Sequence, residues 1–243
     1  MSYAMTHLII ANEFAKKMKI EEKEIFLLAG IAPDAVHVRA DFTKPIKGKV
    51  HCLPEGLNWG EVYEEKHMIN WYEKVKEFYE AKICKVTTSK EIAFLQGFTL
   101  HLLIDVLNCN LFYAANWIKF GLEDVEGYRA KYREECILQD NYLYCSYADR
   151  EQVVTDLEKA MEEKYTDILK KLGLDQYLEE KDLLKNVEYQ VNNFAKAKVD
   201  SLEGLSIVTE ENTQWFLDKV LEECLRMLFD FPKAGRTFEV KEV

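Results

Sequence analysis

The most apolar stretch of the chain, LQGFTLHLLIDVLNCN at residues 95–110, carries two groups able to do chemistry, His101 and Asp105. On a helix, positions i and i+4 are neighbours on one face, so this imidazole and carboxylate would meet one turn apart. Such a pair is either a satisfied hydrogen bond in a core or two ligands of one metal ion; zinc accepts both atom types at roughly 2.0–2.2 Å. The HxxxD spacing alone leaves these two readings level.

The other histidines add to the case. All five (His7, His37, His51, His67 and His101) lie in the first 101 residues, although the polar C-terminal sequence has ample room for solvated ones. Asp34 and His37 stand in AGIAPDAVH, and His51 in KGKVHCLPEG. Alone, a carboxylate after proline ordinarily caps a backbone amide, and a histidine in a loop is simply solvated. His7 falls in the first turn of a helix among apolar residues, where a core imidazole is the usual reading. His67 shares a helix whose apolar face runs through Met68, Trp71, Tyr72 and Val75, and reads as a surface or boundary residue.

Helices must position these groups. Four prolines and ten glycines are few for 243 residues and disfavour a turn-rich β architecture. A first helix starts near Thr6 as N-cap, and EEKEIFLLAGI gives a short second one ended by Gly30 and Pro33. Residues 32–60 break every periodicity, and an irregular segment of that length is ordinarily functional. Long helices follow at 61–82 and 89–116, the second apolar on nearly all faces and therefore central, with another over 124–137. After Asp149 come amphipathic, charge-rich helices with opposite charges at i,i+4. The fold class is all-α. Residues 1–149 read as a metal-binding helical core, and 150–243 as C-terminal helices packed on it within one continuous domain.

In their order, THL near the N-terminus, APDAVH after a helix, a loop histidine and then GFTLHLLIDVLN resemble the zinc-dependent phospholipase C family and its relatives, the zinc-dependent single-strand nucleases. The resemblance covers roughly residues 5–115. It implies an all-α, multi-helix domain whose long loop bears ligands. Carried over position by position, Asp34, His51, His101 and Asp105 match the ligands of one zinc, Asp105 bridges to a second, and His7 matches that second ion's histidine. It also implies that Asp34 orients the attacking water or takes its proton. His37 would be a further ligand or a phosphate contact on the open side. Two features depart from the family. Its members give a terminal amino group to the metal shared with the early histidine; here Ser2, with Met1 removed, would stand five residues before His7. The family's remaining zinc uses late histidines, and none follows residue 101, so Glu134, Glu135 or Asp140 would have to offer oxygen. Trp59 and Asn108 are candidates to shape the pocket.

Two carboxylates and two imidazoles suit zinc, with manganese or iron accepted by the same ligand types, and one or two ions are expected. Metal-activated water would be the nucleophile toward a phosphoester. A net charge of −11 argues against stable nucleic-acid binding and against routine work on an anionic membrane, so a small phosphate-bearing substrate is expected. The N-terminal sequence lacks a basic region before its apolar run LIIA, no transmembrane helix is expected, and the six cysteines lack a CxxC pair. A cytoplasmic protein with reduced, buried thiols is expected. Two rivals stay open: a non-catalytic helical protein with a structural metal, and an HD-type metal-dependent phosphohydrolase. The latter expects an adjacent His-Asp pair, which the chain lacks.

Overall fold

The computed structural model describes residues 3–57, 62, 64–120 and 124–229. These residues form eleven α-helices and no strand, so the fold is all-α as expected. In chain order the helices are α1 (Ala4–Met18), α2 (Lys23–Ala29), α3 (Lys44–Val50), α4 (Glu65–Ile83), α5 (Ser89–Leu107) and α6 (Ala114–Phe120). They continue with α7 (Val125–Ser146), α8 (Arg150–Ala160), α9 (Thr166–Leu172), α10 (Glu180–Phe194) and α11 (Glu210–Phe229).

Helix α5 is the axis of the packing. It starts at a capping box in which the Thr88 hydroxyl accepts the Glu91 amide while the Glu91 carboxylate accepts the Thr88 amide. From Gly97 to Leu107 every side chain is buried, because α2, α4, α11 and α1 cover it on different sides. The segment Ser89–Trp117 is long and apolar enough to cross a membrane by length and composition, yet 89% of its most apolar window is covered by the fold, as in a core helix.

The approach of α5 to α2 is unusually close and depends on one glycine. A Cβ on Gly97 would stand 2.3 Å from the Phe26 carbonyl oxygen and 2.9 Å from the Ala29 Cβ. Residues 97, 101 and 105 lie on one stripe of α5, so the same contact sets how near His101 comes to the end of α2.

Several local expectations need correction. The segment 32–60 is not structureless. A 3-10 turn spans Ala32–Val38, and Thr43, whose hydroxyl accepts the Ile46 amide, caps α3 with Pro45 in its first turn. Helix α1 begins before Thr6, with Tyr3 as N-cap and no side-chain cap of its own. The apolar run 89–116 is interrupted by a π-helical segment at Asn108–Tyr113, and the charged run after Asp149 divides into α8 and α9. Helix α11 contributes Phe216, Val220 and Cys224 to the core and packs against α5 and α1. All six cysteines are free, but Cys84 is exposed and Cys52 and Cys145 are half-buried. Trp59 lies outside the described residues.

Two stability predictions follow from α5. Gly97→Ala forces a methyl against main-chain oxygen that cannot rotate away, and should cost roughly 1–3 kcal/mol in denaturant unfolding; an unchanged midpoint would contradict the close approach. The Glu91 carboxyl is held at about 2, first by the ion pair with Lys171 and then by the Thr87 and Thr88 amides. A depressed carboxyl stabilises the fold above its unfolded pKa of about 4.3 and loses that contribution as pH falls toward 2. Glu91→Ala should therefore cost roughly 1–2 kcal/mol at pH 7, with the gap to wild type closing in urea melts near pH 2.

Candidate metal centre

Five of the sequence-marked residues converge. His7, His101 and Asp105 form one group of potential ligand atoms; Asp34, His51 and His101 form another. They arrive on α1, the turn after α2, the C-cap of α3, and α5. His7, His51 and His101 are fully buried and Asp105 nearly so. Asp34 keeps 22% of its side chain exposed and so opens the centre to solvent.

The ring orientations are fixed by backbone carbonyls. The His101 Nδ1 lies 2.8 Å from the Gly30 carbonyl, and the His51 Nδ1 lies 3.0 Å from the Lys47 carbonyl. A carbonyl only accepts, so both Nδ1 atoms carry the proton and, in a neutral ring, Nε2 carries the lone pair. Those two Nε2 atoms stand 3.3 Å apart. The His51 ring is anchored again through its own carbonyl, which accepts the indole N–H of the fully buried Trp71 at 2.7 Å. Such outer contacts are the usual supports of metal-ligating imidazoles.

Asp34, His51 and His101 approach the spacing of a tetrahedral ion, with Asp105 slightly wider. Ligand atoms at roughly 2.0–2.2 Å from zinc stand about 3.3–3.6 Å from one another. Here the His51 Nε2 is 3.3 Å from Asp34 Oδ1 and 3.8 Å from Asp105 Oδ2, while the His101 Nε2 is 3.7 Å from that same Oδ2. The other oxygen of Asp105, Oδ1, faces His7 Nε2 at 3.5 Å. Because His101 Nδ1 is committed to Gly30, His101 has one lone pair and serves one ion only. Asp105, with its two oxygens turned to different sides, is the group able to bridge.

Unpaired atoms point the same way. Neither ring nitrogen of His7 and not Asp105 Oδ1 has a hydrogen-bond partner, although both residues are buried. A buried polar group left so costs roughly 1–3 kcal/mol. The His7 and His101 rings are stacked at 3.8 Å and 8°, a geometry that two imidazolium ions would not share. Burial, and next the neighbouring His7, push His101 down to about 3. Burial would raise the Asp105 carboxyl, but the surrounding imidazoles, His7 first, hold it below the ordinary carboxylate range. In Asp34 burial is likewise overcome, chiefly by Lys47 and then by His51, so this carboxyl too stays ionised. The donor set therefore includes a neutral His101 imidazole and two ionised carboxylates, the forms that bind metal.

Asp34 does not cap an amide; Oδ1 takes the Lys47 ammonium at 3.2 Å. Lys47 also lies 3.1 Å from His37 Nε2. An ammonium has no lone pair, so Nε2 accepts, and the His37 proton sits on Nδ1, facing Asp34 Oδ1 at 3.5 Å. His37 is exposed and, lowered chiefly by burial of its ring face, is held neutral rather than charged. It stands on the open side, as expected. These residues, with Tyr3 and Asp140, line a cleft of about 750 Å³ whose opposite wall is α10. The sequence reading had passed over Lys47. Its signal was the Thr43-Lys-Pro start of a helix that puts position 47 one turn before His51.

The three acids proposed to replace late histidines divide. Glu134 is exposed. Glu135 is spent on the Ser206, Ile207 and Val208 amides, which it accepts while pinning the chain ahead of α11. Asp140 accepts the Met5 amide at 2.6 Å and so supplies from α7 the N-terminal cap that α1 lacks. Its burial raises the carboxyl to about 7. Asn108 accepts the Tyr132 hydroxyl and is no wall of the cleft. His67 is half-buried on α4, away from the centre. Ser2 lies outside the described residues.

Metal content measures this arrangement directly. Protein purified without added metal should carry about two equivalents of a divalent ion, falling to about one in His7→Ala and below one in Asp105→Ala, with His67→Ala unchanged. Full metal content in Asp105→Ala would remove that residue from the centre. Compared with family models, curated proteins and solved structures, the chain matches none, and the assignment of the centre rests on its own geometry.

Proposed function

We propose that the chain is a metal-dependent hydrolase of a phosphoester, of the phospholipase C type, with zinc as the metal. The observation that carries this reading is the set of ligand-atom spacings around the His51 and His101 Nε2 atoms, next to an open cleft that Asp34 lines. A divalent ion held there would act as a Lewis acid on the phosphoryl group and acidify a water molecule.

The chain's own residues divide the remaining work. His51 and His101, locked by their carbonyl contacts, and the carboxylates of Asp105 and Asp34 form a preorganised ligand set that needs no rearrangement. Asp34 is the only ligand with appreciable exposure, so it stands between centre and cleft. Its carboxyl is held far below neutral pH, which suits orienting a nucleophilic water better than accepting its proton, since an efficient base titrates near the working pH. His37, neutral with Nε2 toward Lys47, borders the cleft where a substrate oxygen would approach.

One observation favours a second reading, a purely structural metal. Asp34, His51, His101 and Asp105 together make four protein ligands, and a four-coordinate zinc of that kind is closed. Turnover separates the two. The zinc-loaded protein should hydrolyse a chromogenic phosphoester such as p-nitrophenyl phosphate or its bis-ester, lose the activity with a chelator and regain it with zinc. Asp34→Asn should lower kcat by about 100-fold or more. Stoichiometric zinc with no turnover on either ester, and a lower Tm after chelation, would establish the structural reading instead.

A further inference from the structure

The cleft beside the metal centre has two unlike walls. At the metal side stand Asp34 and His37. Helix α10 faces them with Asn186, Tyr189, Gln190 and Asn193, an i, i+3, i+4, i+7 stripe on one face. The same helix is otherwise charge-rich, and Lys181, Lys185 and Glu188 take its solvent side. None of its charged residues borders the cleft. Asn186 serves the fold, since it is buried and donates to the Ile31 carbonyl. The other three are open to a ligand: Gln190 and Asn193 are half-buried, and Tyr189 is 56% exposed. Asn141 of α7 adds a further amide to the lining.

Resting on the phosphoesterase reading above, we propose that this wall of amides and a phenol binds the alcohol part of the substrate, and that this part is a carbohydrate, so that the substrate is a sugar phosphate. Phosphate and sugar differ as the two walls do. The phosphoryl group is anionic and belongs at the metal side. A sugar ring is neutral, and its hydroxyls each donate and accept, roles that amide and phenol side chains return. Gln190 spends its Nε2 on Asn186 Oδ1 at 3.4 Å and Asn141 its Nδ2 on the Ile137 carbonyl at 2.8 Å, so the carbonyl oxygen of each amide remains to accept. The exposed Tyr189 ring supplies an apolar surface with a polar tip, suited to the C–H face of a sugar. Other bodies fit less well. An acyl chain needs an apolar lining, and amides covered by it would lose their hydrogen bonds to water. A nucleobase is ordinarily held between aromatic or apolar faces. Tyr189 is the one exposed aromatic of α10, because Phe194 is buried against the Tyr144 ring. A cleft of about 750 Å³ admits a sugar ring whole. Hydrolysis would add water across the ester P–O bond, its oxygen to phosphorus and one proton to the sugar oxygen, releasing phosphate and free sugar.

The test uses zinc-loaded full-length protein and the non-hydrolysable phosphonate analogues of glucose 6-, mannose 6- and ribose 5-phosphate, with methylphosphonate as the anion that lacks a sugar. By calorimetry, wild type should bind at least one sugar phosphonate about 10-fold or more tighter than methylphosphonate. In the double variant Gln190→Ala, Asn193→Ala the affinity for that analogue should fall about 10- to 100-fold, the range of two lost hydrogen bonds, while methylphosphonate binds as before. Glu188→Ala, on the solvent side of the same helix, should match wild type for both ligands, and thermal melting checks that each variant folds. If no sugar phosphonate binds better than methylphosphonate, or if the double variant loses both ligands equally, the proposal is overturned. So it is if adenosine 5′-monophosphate is hydrolysed with a higher kcat/KM than all three sugar phosphates, which would assign the wall to a nucleoside. If a sugar phosphonate binds as expected and none of the esters is hydrolysed, the hydrolase reading fails while the sugar-binding wall stands.

Discussion

The contact between α5 and α2 at Gly97 is the constraint on which the centre depends. Backbone touches backbone there because nothing larger than hydrogen fits between Gly97 and the Phe26 carbonyl. Helical periodicity then places His101 one turn further along the same stripe, opposite the residue that ends α2, and the Gly30 carbonyl meets Nδ1 at 2.8 Å. That hydrogen bond selects the tautomer and turns Nε2 toward His51. One more turn brings Asp105. A wider helix pair would leave the imidazole free to rotate and the Gly30 carbonyl in need of another donor.

The centre is an expensive arrangement for a fold without an ion. Three imidazoles and a carboxylate are withdrawn from water, and the His7 ring meets only Asp105 Oδ1, at 3.5 Å and outside hydrogen-bond geometry. Burial of that kind is normally offset by hydrogen bonds, and the Gly30 and Lys47 carbonyls provide these on the Nδ1 side of His101 and His51. The near side of the cluster is a set of lone pairs and negative oxygens facing one another. Only a cation satisfies them all at once, and Lys47 does so for Asp34 alone. Folding and metal affinity are thereby set against each other, as expected where a site stores unfavourable contacts that ligand binding relieves.

Much of this was legible in the chain. His101 and Asp105 at i and i+4 in an apolar helix could not both face solvent, and the order of Asp34, His51 and His7 around them gave the remaining ligands. The supports were harder to read. Asp34 after a proline looks like a turn cap, and only the tertiary fold shows Lys47 and His51 claiming its carboxylate. The segment 32–60 seemed irregular because two short helical pieces, each of seven residues, are too brief to show a period. Gly97 leaves no local signal in the sequence, because the Phe26 carbonyl it must clear lies on another helix. Glu135 and Asp140 were both plausible oxygen ligands by position, but unmet backbone amides elsewhere claim them first. Such partners are far apart in sequence and leave no local pattern.

The C-terminal helices belong to the same account. Helix α10 does not merely cover the core; it holds the turn that carries Asp34. Asn186 donates to the Ile31 carbonyl, Lys185 donates to the Val38 carbonyl, and Arg39 reaches back to the Tyr177 carbonyl and Asp182. The Ala32–Val38 turn is thus pinned at both ends from one helix. A seven-residue 3-10 turn has weak hydrogen bonds of its own and would not fix a carboxylate to within the few tenths of an ångström that coordination requires. The charge-rich second half of the chain therefore gives this short turn a rigidity that its own sequence lacks, and the helix that supplies it is also the wall opposite the ligands in the cleft. A displacement of α10 would move Asp34 and reshape the cleft together, which couples what binds in the cleft to the geometry of the centre.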